Sequence, residues 1–187
     1  FPIAIAQQGI TDIYPPKNPV APIKKLMQRY AFKHASLIHA WGEAMTYSMI
    51  RTGADPLKIM VLAKGIDLRK YNYQPEIRDN KIRAIVTRSF APEYRHEVIL
   101  KAFAIIKVKR IPFELVFVGG GTLRKNLEEL AFKLGIDKDV IFMGVIPNDE
   151  LPLSLQKSDL YISMPCTEGV SASLFEAFAS GCYPIVT

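Results

Sequence analysis

Short runs rich in β-branched and aromatic residues alternate along this chain with amphipathic stretches of helical period. The β-rich runs, each bounded by turn residues, predict strands at 3–6, 36–40, 59–62, 84–87, 114–118, 140–144, 160–164 and 184–186. Helical patterns lie between them at 23–33, 43–51, 97–107, 122–134, 149–156 and 173–180. The first helix carries Leu26, Met27 and Tyr30 on one face. Strand and helix in regular alternation predict an α/β fold with a parallel sheet and helices on both faces. Near-continuous apolar strands such as LVFV and AIV suit burial on both sides. The polar stretch LRKYNYQPEIRDNK at 68–81 contains Pro75 and reads as a linker between two α/β segments. Division at 70/71 follows from it. The first segment holds too few strands for a complete domain, and the second ends on a strand, so both ends read as cut from something longer.

Composition changes this picture little. The chain has 187 residues, with 49% hydrophobic and 22% charged, the balance of a globular protein. No apolar run reaches the roughly 18 residues of a membrane span. The opening FPIAIAQQGITD lacks the basic start and small-residue pattern of a signal peptide. Cys166 and Cys182 make no framework and no metal spacing, which suits a reducing compartment. His34, His39 and His96 form no H-x-x-x-H pair, so no zinc site is expected. The net charge of +6 favours anionic partners without choosing among them. The basic residues are spread out with no aromatic-basic platform, and nucleic acid is not an expected partner.

Four places carry candidate chemistry. Gly119, Gly120 and Gly121 lie between a strand and a helix, where backbone can approach a ligand or make a tight connection. The spacing lacks the last glycine of a dinucleotide fingerprint and the G-K-[ST] of a Walker loop. Arg88 stands just past a strand end and Arg95 before the next helix; they clamp a diphosphate or are solvated surface cations. In EGVSASLFEAFASG, Ser173 and Glu176 fit the S-x-x-E capping box. Glu168 follows a strand end and precedes Gly169, and the amides from Gly169 to Ser173 open a helix that can receive a phosphate. Lys24, Lys25, Arg29 and Lys33 flank the apolar stripe of the first helix, a pattern of peripheral membrane helices and of ordinary basic surface helices alike.

Glu168 and Glu176 in E-x7-E spacing, followed by AFASGCYPIV, resemble the C-terminal-domain signature of the family-4 (group 1) glycosyltransferases, retaining enzymes of GT-B fold. VTRSFAPEYRHEVILKAF, LVFVGGGTLRKNLEEL and VIFMGVIPNDELPLSLQKSDLYI are similar to further segments of that family, in family order. HASLIHAWGEAMTYSMIRTGADPLKIMVLAKGIDLRKY resembles the end of its N-terminal domain and the crossing. The resemblance implies a GT-B-like, Rossmann-type sheet. Residues 1–70 would be the end of the acceptor-side domain, and 71–187 a truncated nucleotide-sugar-binding domain. Arg88 would bind the donor diphosphate, with Arg95 where the family has a lysine. Gly119 would lie in the glycine turn, and Gly144 with its neighbours would meet the base. Glu168 would act as the catalytic carboxylate on the sugar hydroxyls. Gly169, Val170, Ser171 and Ala172 would offer amides to the distal phosphate, and Glu176 would hold the ribose. Fixed cations, amides and a helix dipole would stabilise the departing diphosphate with no metal and no cofactor beyond the donor. Thr87-Arg88 stands where the family has G-R, and Lys64-Gly65-Ile66-Asp67 where it has N-G-V-D. The expected partners are a nucleotide-diphosphate sugar and a glycan or lipid acceptor, in the cytoplasm or at the inner membrane face. The isolated segment is expected to be inactive. A noncatalytic nucleotide-sugar-binding module, a GT-B-like epimerase and a phosphorylase are the other readings.

Overall fold

The computed structural model describes residues 4–7, 21–63, 65–75, 79–166 and 171–187. They form two compact units: the described residues up to Gly65 together with Ser171, and those from Ile66 onward without it. This division falls before the 70/71 boundary expected from composition, because Ile66 already packs against the core of the second unit.

In the first unit, β1 (Ala4–Gln7), β2 (Leu37–Ala40) and β3 (Ile59–Val61) form a parallel sheet in the order β1-β2-β3. The helices are α1 (Ala21–His34) and α2 (Glu43–Thr52). Phe32, Ile38, Met45 and Met49 are the buried centre. Gly53 ends α2 in a left-handed conformation, its N–H donating to the Ile50 carbonyl and the following Ala54 N–H to the Met49 carbonyl.

The second unit is a five-stranded parallel sheet in the order β6-β5-β4-β7-β8. Its strands are β4 (Ile82–Val86), β5 (Phe113–Val118), β6 (Val140–Gly144), β7 (Leu160–Ser163) and β8 (Tyr183–Val186). The intervening helices are α3 (His96–Val108), α4 (Arg124–Lys133), α5 (Leu151–Gln156) and α6 (Ala172–Ala179). Successive side chains on a strand point to opposite faces, and here each face feeds its own core. Ala84 and Val86, with Phe113, Leu115 and Phe117, pack against Ile99, Leu100 and Phe103 of α3 and Leu127 and Ala131 of α4. Ile85, Val118 and Tyr161 point the other way, into a cluster with Leu155 of α5 and Ala177 of α6. Every predicted strand and helix has its counterpart here, with ends shifted slightly.

The strand order sets the functional geography. The chain steps from β4 outward through β5 to β6, then returns to the other side of β4 for β7 and β8. The order reverses between β4 and β7, and in such sheets ligands bind outside the strand carboxyl ends at that point.

Candidate nucleotide site

The glycine turn after β5 is built by backbone crowding. The Phe90 N–H donates to the Gly120 carbonyl at 2.8 Å, and the Leu123 N–H donates to the Phe90 carbonyl at 3.2 Å. The Gly119 N–H donates to the Gly144 carbonyl at 2.8 Å, tying this turn to the end of β6. A Cβ on Gly119 would overlap the Arg88 carbonyl oxygen, and one on Gly121 would lie 2.5 Å from the Phe90 carbonyl oxygen. Both glycines also hold positive φ, 145° and 154°. The turn is therefore a structural necessity whatever it binds. Gly121→Ala is expected to destabilise the chain by roughly 2–3 kcal/mol, read from a denaturant melt.

Beneath the turn, Phe90 is fully buried and meets His96, Phe117 and Phe142 edge-on. The His96 Nε2 lies 2.9 Å from the Ser89 carbonyl, which can only accept, so the imidazole carries its proton on Nε2. Burial holds its pKa below the ordinary 6.5, opposed by the hydrogen bond to Ser89 and the charge of Glu97. The folded state thus resists protonation, while the unfolded chain takes a proton at the ordinary value. Stability is expected to fall as pH drops through about 6.5 toward the lower folded pKa, and to be independent of this group above that window. Melts of wild type and His96→Phe across that range check this: the variant's profile should be flatter there.

The two arginines sit at the carboxyl ends of β4 and β7. Arg88 places Nε 3.4 Å from the Ser163 hydroxyl and its guanidinium 5.6 Å from the Tyr94 ring centroid. It thereby bridges the two strands that flank the reversal in sheet order. Arg95 precedes α3 in a left-handed conformation. It donates from Nε to the Met164 carbonyl at 2.7 Å and from Nη2 to the Pro165 carbonyl at 3.1 Å and the Thr187 hydroxyl at 3.2 Å. Arg95 shapes the turn after β7 through these bonds.

A cavity of about 490 Å³ opens at the strand ends. Thr87, Val118 and Gly119 contribute from the ends of β4 and β5, and Val145, Ile146 and Asn148 from the turn after β6. Ser173 and Glu176 enter from the start of α6, and Asp67, Lys70 and Tyr71 from the segment preceding β4. The structure thus brings Gly119, the neighbours of Gly144, and Glu176 to one space. Arg88 follows Thr87 directly in the chain, while Ser171 immediately precedes and Ala172 begins α6. Glu168, Gly169 and Val170 lie outside the described residues, as does Lys64. Among the described residues, no group of three or more His, Cys, Asp or Glu side chains is placed to hold a metal.

The capping-box register needs Ser173 in front of the helix. With α6 starting at Ala172, Ser171 takes that place and Ser173 is already helical. The Glu176 carboxylate instead meets the Tyr71 hydroxyl. Burial, then the charge of Glu176 and their hydrogen bond, raise the Tyr71 pKa above 10.0, so this phenol remains a donor at neutral pH.

Asp67, Lys70, Tyr71, Thr87, Asn148 and Leu151 were not among the residues expected to form the site. The segment at 68–81 read as a linker by polarity, yet Asp67 folds it back. Its carboxylate accepts from the Arg69 N–H at 3.0 Å, and its carbonyl accepts from the N–H groups of Lys70 and Tyr71, both at 3.0 Å. The cysteines carry no chemistry here: Cys182 is buried with Sγ 3.2 Å from the Leu155 carbonyl, and Cys166 is a lone exposed thiol.

Known proteins share this architecture. HepE from Anabaena, solved with UDP and glucose, superposes with a TM-score of 0.76 at 18% identity, covering 99% of this chain and 52% of that one. WaaG, a glycosyltransferase involved in lipopolysaccharide biosynthesis, gives 0.70 at 19% identity, covering 98% and 55%. These likenesses show the fold, that of the GT-B glycosyltransferases. Among curated proteins, an alpha-monoglucosyldiacylglycerol synthase of Streptococcus pneumoniae is 27% identical over 135 residues, 65% of this chain and 30% of that protein. A GDP-mannose-dependent phosphatidylinositol monomannoside mannosyltransferase of Mycolicibacterium smegmatis is 27% identical over 144 residues, 67% and 37%. The chain thus spans well under half the length of these two relatives. Residues 69–187 match the family of glycosyl transferases group 1, and the chain belongs to that family.

Proposed function

We propose that the cavity holds the nucleotide of a nucleotide-diphosphate sugar, and that the protein transfers the sugar to a glycan, lipid or small-molecule acceptor. The observation that carries this is the Glu176 carboxylate set into a cavity at the strand carboxyl ends, opposite the turn after β6. A carboxylate there suits paired ribose hydroxyls, and the apolar Val145 and Ile146 suit a base. Arg88, at the reversal in sheet order, and the amides opening α6 suit the diphosphate, whose charge grows as the sugar departs. In this reading the cations and amides supply that stabilisation without a metal, and Glu168 orients the sugar hydroxyls. The retaining outcome and the family-4 assignment belong to the same proposal and rest on the E-x7-E signature. The names of the relatives support this reading: one is a GDP-mannose-dependent phosphatidylinositol monomannoside mannosyltransferase, and the other is named for synthesis of a glucosylated diacylglycerol. Calorimetric titration with UDP, GDP, ADP and NAD tests it. Binding of one nucleoside diphosphate, weakened in Arg88→Ala, supports the reading; preference for NAD sinks it.

One observation favours a membrane-facing protein. On α1, Ile23, Leu26, Met27 and Tyr30 are each more than half exposed, while Phe32 of the same helix is buried. The apolar stripe therefore faces away from the core of its unit, with Lys24, Lys25, Arg29 and Lys33 on its flanks. We read it as a peripheral contact with anionic lipid at the inner membrane face. Sedimentation with anionic vesicles at low salt should carry the chain down, and neutral vesicles or high salt should not. Absence of binding to anionic vesicles at low salt removes the idea.

A further inference from the structure

We propose that Tyr71 is a positioning residue for Glu176: its hydroxyl fixes one carboxylate oxygen so that the group is presented to the ribose hydroxyls of the donor. The inference rests on the donor-site reading above and deepens it.

Both side chains line the same cavity. Tyr71 is held on two sides before it reaches Glu176. Its N–H donates to the Asp67 carbonyl, which closes the turn at the start of the unit. The next residue is fastened to α5, where Gln156 Nε2 donates to the Asn72 carbonyl at 3.1 Å and to Asn72 Oδ1 at 2.9 Å. The Tyr71 ring is buried in the cluster formed by Ile85, Leu155, Tyr161, Ala177 and Cys182. Ala177, the residue after Glu176, is fully buried in that cluster too. The backbone on each side of the pair is therefore anchored in one core, and the hydroxyl meets the carboxylate at the cavity wall.

An aromatic ring alone would satisfy that core. The hydroxyl adds a donor aimed at a group whose terminal torsion is otherwise broad and roughly two-fold. An ionised carboxylate has about four acceptor sites, so one bond from Tyr71 leaves room for two vicinal hydroxyls. Ordering a side chain at the moment of binding costs about 0.5–1.5 kcal/mol, and a carboxylate already held avoids much of that. The pair remains a phenol and an acceptor at neutral pH, since burial and the Glu176 charge oppose ionisation of the phenol.

The experiment compares ribose with deoxyribose. UDP, GDP and ADP, and their 2′-deoxy counterparts, are titrated into wild type, Tyr71→Phe, Glu176→Ala and the double variant, with melts recorded for each. Wild type should prefer the ribonucleotide. Tyr71→Phe should weaken ribonucleotide binding by roughly 2- to 12-fold and leave the deoxynucleotide almost unchanged. In the Glu176→Ala background, where the Tyr71 hydroxyl has no acceptor at position 176, its removal should add nothing further. Equal losses for both sugars in Tyr71→Phe, or no loss, overturn the inference while the donor site stands. An additional loss in the double variant also overturns it, because Tyr71 then acts independently of Glu176. A wild-type chain that binds none of the nucleotides overturns the donor-site reading and this inference with it.

Discussion

Phe90→Ala is expected to cost roughly 3–5 kcal/mol, the range for emptying a buried aromatic site. Phe90 has no exposed surface and sits edge-on to three rings, His96, Phe117 and Phe142. Phe117 and Phe142 in turn stack with centroids 5.1 Å apart, joining β5 to β6. Little can collapse into the void, because the surrounding backbone is pinned by the Phe90–Gly120 and Leu123–Phe90 hydrogen bonds. The same residue supports the turn that carries Gly119 to the cavity wall, so the loss reaches the site as well as the core. A urea melt should show a lower midpoint with an unchanged slope. A midpoint close to wild type would mean that the aromatic cluster relaxes around the gap.

Glu176→Ala should remove most nucleotide affinity while leaving the fold intact. Hydrogen bonds to a charged group are worth about 1.5–3 kcal/mol each, so losing even one implies a drop of roughly 10- to 150-fold. The side chain lines the cavity and is not part of the buried cluster around Ala177. Its partner Tyr71 would lose one acceptor near the cavity, a modest stability cost beside the binding loss. Titration of the nucleoside diphosphate that wild type binds measures this directly, with a thermal melt as the control for folding.

Much of this architecture was legible because the relevant forces are local or periodic. The near-continuous apolar runs LVFV and AIV predicted strands buried on both faces, and those strands do feed two separate cores. The glycines after β5 marked a close backbone approach, and the approach is to Arg88 and Phe90. The site at the start of α6 was implied by the family resemblance that E-x7-E carries rather than by any local force, and Glu176 lines a cavity there. The missed features depend on contacts distant in sequence. Tyr71 sits in a polar stretch, and nothing local says that its ring enters a core with Tyr161 and Cys182. Arg95 looks like any basic residue before a helix until the turn after β7 brings the Met164 and Pro165 carbonyls to it. Ser173 fits a capping pattern, but the helix begins at Ala172, two residues too early for that pattern to operate.

The central claim is that the cavity at the ends of β4, β5 and β6 is the nucleotide site. Hydrogen–deuterium exchange of the chain, with and without the nucleoside diphosphate it binds, tests this most directly. Protection is expected to concentrate at 67–71, 118–123, 144–148 and 173–177, and to be lost in Glu176→Ala. Protection centred instead on the apolar groove lined by Ile141, Met143 and Leu153, or unaffected by removal of Glu176, would contradict it.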